Sequence, residues 1–161
     1  MLNGILDALK REFPDAIQGS VEFGGQTALT VEASSLHAVA KSLRDNHQFE
    51  LLLDVYGTDR SKLGVTPRFA TNYEFYSVEK NQHLRLIAPL NDPASSNGNG
   101  RDVLPKIDSV TDIYSTANWL ERETYDLMGI EFANHPWMTR IMMPQDWVGH
   151  PLRKDYPLGG E

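Results

Sequence analysis

Leu84, Leu86, Ala88 and Leu90 occupy every second position of one short run. That spacing fits an extended strand with a single buried face. Two neighbouring runs repeat the pattern. Phe69, Tyr73 and Phe75 share one face of the first, and Phe49, Leu51, Leu53 and Val55 alternate with Glu50, Leu52, Asp54 and Tyr56 in the second. Upstream, Thr27, Leu29 and Val31 form a fourth strand, with Val21 and Phe23 as its hairpin partner across Gly24-Gly25. A sheet with one apolar face must be covered on that face. Two helical stripes supply the cover: Leu2, Ile5, Leu6, Leu9 and Phe13, stopped by Pro14, and Leu36, Val39, Ala40 and Leu43, preceded by Ser34-Ser35 as an N-cap. The expected fold is α+β: a two-layer α/β domain of order α-β-β-α-β-β-β on a mixed or antiparallel sheet.

A third helix is expected from about Asp112 to Met128, with Ile113, Ala117, Leu120 and Leu127 as its buried stripe and Gly129 as a left-handed C-terminal cap. Residues 91–102 (NDPASSNGNGRD) read as a flexible loop. The last stretch, residues 129–161, keeps neither helical nor strand period, and Pro136, Pro144, Pro151 and Pro157 interrupt it. Yet it carries Phe132, Trp137, Met138, Met142, Met143, Trp147 and Tyr156. A disordered tail avoids such residues, and they are the types enriched in interface cores. The chain therefore divides into a domain, 1–128, expected to fold alone, and an extended partner-binding arm, 129–161.

Composition excludes several functions. The sequence has no cysteine, so disulfides, thiolate metal sites and Cys-held iron–sulfur clusters are ruled out. A net charge of −7 speaks against a nucleic-acid or anionic-lipid footprint. The longest apolar runs, such as Leu51–Leu53, fall far short of a membrane span. The amphipathic N-terminus lacks a signal-peptide core, which places the chain in the cytoplasm by expectation. There is no G-x-S-x-G turn and no glycine-rich phosphate loop, so no catalytic residue and no cofactor is assigned.

The charged motifs have plain readings. Arg122 and Asp126 are four apart on the third helix and able to pair on one face. His135 and His150 each precede a proline, 15 residues apart and off any helix. That spacing matches no standard metal site, so backbone-bonded structural histidines are the better reading and a stand-alone metal hydrolase the weaker one. His37, His47 and His83 have no companion motif and read as surface residues. The block Gly149–Pro157 (GHPLRKDYP) presents Arg153 and Lys154 from a proline-stiffened backbone.

Residues 117–157 together (ANWLERETYDLMGIEFANHPWMTRIMMPQDWVGHPLRKDYP) strongly resemble the C-type protein of respiratory complex I, NADH-quinone oxidoreductase. The matching pieces are Ala117-Asn118-Trp119, Glu121-Arg122-Glu123, Tyr125-Asp126, Gly129-Ile130, His135-Pro136, Arg140-Ile141 and Gly149–Pro157. Thr139 departs from the pattern, where a basic residue is usual. The resemblance implies a structural subunit without flavin, cluster or quinone of its own. It would pack against the quinone-binding D-type subunit and cluster-bearing subunits, on the cytoplasmic face of the cell membrane. The assembled machine would pass electrons from NADH to quinone and translocate protons. Related membrane-bound hydrogenases and deazaflavin-dependent dehydrogenases carry similar subunits. The residues expected to meet neighbours are Glu121, Arg122, Glu123, Tyr125, Asp126, His135, Trp137, Arg140, Trp147, His150, Arg153, Lys154 and Asp155. Of these, Glu121, Arg122, Glu123, Arg153 and Lys154 are expected to orient the chain on its partners rather than to hold its own fold.

Overall fold

The computed structural model describes residues 2–91 and 103–157. The loop expected at 91–102 lies outside the described residues except for Asn91. The elements run α1 (Leu2–Glu12), β1 (Ile17–Phe23), β2 (Gln26–Val31), α2 (Leu36–His47), β3 (Leu51–Asp59), β4 (Phe69–Ser77), β5 (Gln82–Leu90), β6 (Lys106–Asp108), α3 (Ala117–Met128) and β7 (Glu131–Ala133). The five long strands form one sheet in the order β1-β2-β5-β4-β3. Only the β2–β5 pairing is parallel, so the sheet is mixed.

The hairpin between β1 and β2 turns on Gly24 and Gly25, at φ +58° and +77°. Two consecutive positive φ values are what a tight two-residue hairpin requires, and glycine reaches them without strain. On the covered face, Leu29 and Val31 of β2, Phe69, Tyr73 and Phe75 of β4, and Leu84, Leu86, Ala88 and Leu90 of β5 pack against Ile5 and Leu9 of α1 and Leu36, Val39, Ala40 and Leu43 of α2. The alternation in sequence is the alternation of this face.

Three expectations need correction. In β3 the apolar set does not stay on one face: Leu52 and Val55 are buried, while Leu51 and Leu53 are 41% and 47% exposed. The pairing register shifts between Leu52, opposite Phe75, and Asp54, opposite Glu74. The extra residue is a β-bulge at Leu53, which flips the phase of the strand. Ser35 does precede α2, but its side chain makes no capping bond. Instead the short 3-10 turn Ala33–Ser35 leads into the helix, with the Leu36 N–H donating to the Ala33 carbonyl. The third helix begins at Ala117, not near Asp112. Residues 110–116 are turns, held because the Tyr114 hydroxyl reaches the Phe49 carbonyl at 2.7 Å and the Thr116 hydroxyl the Leu52 carbonyl at 3.2 Å.

Helix α3 lies along β3, an outermost strand of the sheet. Its Thr124 hydroxyl donates to the Val55 carbonyl at 2.9 Å, so Thr116 and Thr124 both satisfy carbonyls of an edge strand. The close approach depends on Gly57, where a Cβ would sit 2.7 Å from Met128 Cγ and 2.8 Å from Ile130 Cδ1. The core also continues beyond the expected boundary at residue 128. Ile130 and Phe132 are buried in it, and β7 pairs in parallel with β6. Strands of three residues are too short to leave a periodic signal.

Candidate partner interface

Of the stripe expected along α3, Ala117 is buried, as is Ile113 in the turn before the helix, but most of the rest of the buried face is polar. Leu120 and Leu127 are only half-buried, while Glu121, Arg122, Thr124 and Asp126 are buried with Ala117 and Met128. The reason lies in what covers the helix. Backbone of the arm and of an edge strand needs hydrogen-bond partners, and leucines supply none.

Glu121 is fully buried. Its carboxylate accepts the Ser109 hydroxyl at 2.6 Å and the Val110 N–H at 2.8 Å, tying α3 to the chain after β6. Burial drives its pKa up to about 7, against the two hydrogen bonds that favour the charged form. His135 lies 4.0 Å from the same carboxylate. Its Nδ1 accepts the Trp137 N–H at 3.0 Å, so the proton sits on Nε2, which donates to the Asn118 carbonyl at 3.2 Å. Burial holds His135 in this neutral form and lowers its pKa.

Asp126 organises the middle of the arm. One carboxylate oxygen accepts the N–H groups of Ile141, Met142 and Met143 at 3.0, 2.7 and 2.9 Å. The other binds Arg140 at 2.6 Å. Burial pushes its pKa upward, but the Met143 N–H, the Arg140 guanidinium and the Met142 and Ile141 N–H groups outweigh it, and the net shift is downward. The pairing of Arg122 with Asp126 expected from spacing does not occur, because Arg140 and three backbone amides fill the carboxylate.

The end of α3 is sealed by the arm. A helix leaves its last carbonyls without internal donors. Here His150 Nδ1 donates to the Asp126 carbonyl at 2.8 Å, the Leu152 N–H to Leu127 at 2.9 Å, and Arg153 to Met128 at 2.9 Å and Gly129 at 3.0 Å. Arg140 and Arg153 also place cations at the negative end of the helix dipole. Gly129, at φ +70°, gives its N–H to Tyr125, and a Cβ there would lie 2.5 Å from the His150 ring and 2.6 Å from Arg153. Burial lowers the pKa of His150, whose ring stands edge-on to Tyr125.

The last described residues are held at β3 and β4. Asp59 takes a two-point bond from Arg68 at 3.0 and 2.6 Å, the Ser61 N–H at 3.0 Å and the Lys154 N–H at 2.9 Å. Burial opposes ionisation of Asp59, yet these donors hold its pKa well below the usual range. Arg68 also binds Asp155 at 2.9 Å, and Arg68 and Arg153 both lie over the Phe69 ring.

The sequence-derived set thus splits. Glu121, Arg122, Asp126, His135, Arg140, His150, Arg153 and Asp155 are engaged within the chain, and for Glu121, Arg122 and Arg153 this runs against the expectation that they leave its fold alone. Glu123, Trp137, Trp147 and the Lys154 side chain are exposed, and Tyr125 is half-buried. The two histidines bond carbonyls eight residues apart on α3, about 12 Å of helical rise, so they do not converge on a metal. Among the described residues no group of three or more His, Asp or Glu is placed to hold one. Asp59, Arg68 and Thr139 were missed, since their roles depend on strand register and on the path of the arm. On α3 and the arm, exposed large apolar residues outside the set are Trp119, Met142, Val148 and Leu152.

Comparison with known proteins gives consistent matches. The family profile "Respiratory-chain NADH dehydrogenase, 30 Kd subunit" matches residues 29–161. The C-type protein of NADH-quinone oxidoreductase from Geotalea uraniireducens (strain Rf4) is 43% identical over 152 residues, covering 94% of this chain and 85% of that protein. Its counterpart from Roseiflexus sp. (strain RS-1) is 38% identical over 159 residues, covering 98% and 84%. A chain in the structure of the membrane-bound sulfane sulfur reductase, an archaeal respiratory membrane complex, superposes with a TM-score of 0.69 over 97% of this chain and 85% of its own, at 19% identity, a likeness of fold.

Proposed function

The chain belongs to the 30 kDa subunit family of respiratory-chain NADH dehydrogenase, the C-type subunits of NADH-quinone oxidoreductase, and from this premise we propose that it works as a rigid structural subunit. Membership in complex I entails neighbouring subunits. In this reading the chain carries no step of electron transfer itself. It fixes the position of the quinone-binding D-type subunit and of cluster-bearing subunits, on the cytoplasmic face of the membrane. Among the described residues no helix is long and apolar enough to cross a membrane, and in this reading attachment runs through the complex.

One observation carries the reading. A segment with almost no regular secondary structure, residues 134–157, is fastened to α3 and to the end of the β3–β4 hairpin by charged hydrogen bonds along its length. That turns a would-be tail into a fixed ledge. The same ledge and helix leave Trp119, Trp137, Met142, Trp147, Val148 and Leu152 exposed. Large apolar side chains on a preorganised backbone suit an interface, because little entropy is lost on docking.

The test is to tag the chain in its native host, solubilise the membranes and purify by the tag. NADH-dependent quinone reduction should co-purify with the chain and disappear from membranes when its gene is deleted. Elution of the chain alone, or with a hydrogenase or a deazaflavin-dependent activity instead, would refute the assignment of its role.

A further inference from the structure

Arg122 differs from Arg140 and Arg68 in how its charge is met. Its side chain is desolvated, with only 6% of the residue exposed. Arg140 and Arg68 are neutralised by Asp126 and by Asp59 with Asp155. Arg122 has no carboxylate within ion-pair distance among the described residues. It donates to the Thr139 carbonyl at 3.1 Å through Nε and to the Thr139 hydroxyl at 3.0 Å through Nη2. Thr139 therefore serves as an acceptor at a position where a basic side chain would repel this cation. Two indoles flank the guanidinium, Trp119 at 5.2 Å and Trp137 at 4.7 Å. The third nitrogen, Nη1, makes no hydrogen bond among the described residues and is not one of the buried polar atoms left without a partner, so it reaches the surface.

A charge taken out of water calls for a counter-charge. Aromatic faces supply part of the compensation, and two neutral acceptors on Thr139 supply more, but the positive charge stays. Meanwhile the indoles that shield it are themselves 66% and 64% exposed. The arrangement is a cation set between two aromatic walls with one open edge. We propose that this patch receives an aspartate or glutamate of a neighbouring subunit, whose carboxylate bonds Arg122 at Nη1 while its surroundings cover Trp119 and Trp137. Buried arginines and tryptophans are the side chains on which protein interfaces most often depend. The overall charge of −7 would repel an acidic partner at long range, so recognition here has to be local. The inference rests on the chain being a subunit of the complex and adds where, and by what chemistry, a neighbour is held.

The experiment uses the assembled complex. A host strain expresses the wild-type chain together with a distinguishable Arg122→Gln copy, and the ratio of the two in the purified complex is read by mass spectrometry. Glutamine keeps an amide donor toward Thr139 and removes the charge. The free variant should melt at or above the wild-type temperature, because an uncompensated buried charge has gone, whereas its incorporation should fall at least about 30-fold. Opposite movements of stability and incorporation are not what a residue serving only the fold would give. Should Arg122→Gln fail to fold, Trp119→Ala and Trp137→Ala made one at a time give the reading from exposed positions, with a melt lowered by only a few degrees, as loss of one cation–π contact implies, and incorporation reduced at least about 10-fold. In parallel, a photo-crosslinking amino acid replaces Trp137, and Phe23 on the far edge of the sheet serves as control. Crosslinks from position 137 to an Asp- or Glu-bearing peptide of another subunit support the proposal. Crosslinks to lipid or to this chain, or equal incorporation of the variants, overturn it. If the wild-type chain itself is absent from a quinone-reducing complex, the proposed function has failed; if it is present and the variants compete equally, only this inference has.

Discussion

Replacing Glu121 by glutamine should stabilise the free chain, and by an amount set by pH. The carboxyl is fully buried, and its pKa rises from 4.5 to about 7 on folding. A group with a raised folded pKa binds a proton on folding. Its favourable contribution is complete below the unfolded value and fades as pH climbs through the folded one. Across that window the wild-type protein loses about 3 kcal/mol from this group, since each pKa unit is worth about 1.4 kcal/mol. No discount for solvent screening applies to a side chain with no exposure. Glutamine has no such window. Its carbonyl can accept from Val110, and its amide can donate to the Ser109 oxygen, so the local bonds survive. At pH 4.5 the two proteins should melt within about 2 °C of each other. At pH 8 the variant should lead by about 9 °C, taking roughly 3 °C per kcal/mol for a domain of this size. Differential scanning fluorimetry from pH 4.5 to 8 measures the difference directly. A difference that stays flat with pH, or grows in favour of the wild type, would mean that Glu121 ionises freely and that burial does not govern it.

Removing Arg153 by Arg153→Ala uncovers the Met128 and Gly129 carbonyls at the end of α3 and should cost the free chain about 2 kcal/mol, a melting shift of about 6 °C. Arg153→Lys should recover less than half, since one ammonium cannot span both carbonyls as the guanidinium fork does. Gly129→Ala meets both an unfavourable backbone conformation and the His150 ring, and should cost about 3 kcal/mol or more in a urea titration. Nitrogen NMR of the imidazoles near neutral pH should find His135 protonated on Nε2 and His150 on Nδ1. Because burial lowers both pKa values, the stability they contribute is present above the unfolded value near 6.5 and is lost as pH falls below it.

The five-stranded sheet and two of its helices were legible because each buries a single apolar face, and a face of that kind writes a period into the sequence. Leu84 to Leu90 and Leu36 to Leu43 required nothing else. Legibility ends where hydrogen bonding, not burial of hydrocarbon, decides the position of a side chain. Alternation alone turns Leu51 and Leu53 inward, because a one-residue bulge leaves no mark on it. Along α3 the leucines are half-buried and Glu121, Arg122 and Asp126 lie inside, the reverse of what hydropathy implies. The family resemblance points to this region but does not say which charges turn inward. Nothing in the spacing of Asp126 and Arg140 marks them as partners, since the intervening chain leaves the helix and returns.

That inversion bears on how interface charges are to be recognised. Arg140, Arg153 and Asp155 sit in the motif that identifies the family, and each is already matched by a carbonyl or a charged group of the same chain. Truncating any of them disturbs the arm before it disturbs a partner, so a loss of assembly in such variants would not by itself locate a contact. Arg122 is the informative case because its fold-related bonds end on Thr139 alone, its Nη1 faces outward, and two exposed indoles flank it, so a contribution to the fold and one to a partner can be told apart. The distinction is experimentally accessible. A residue of the first kind should lower the melting temperature and incorporation together, while one of the second kind should separate them.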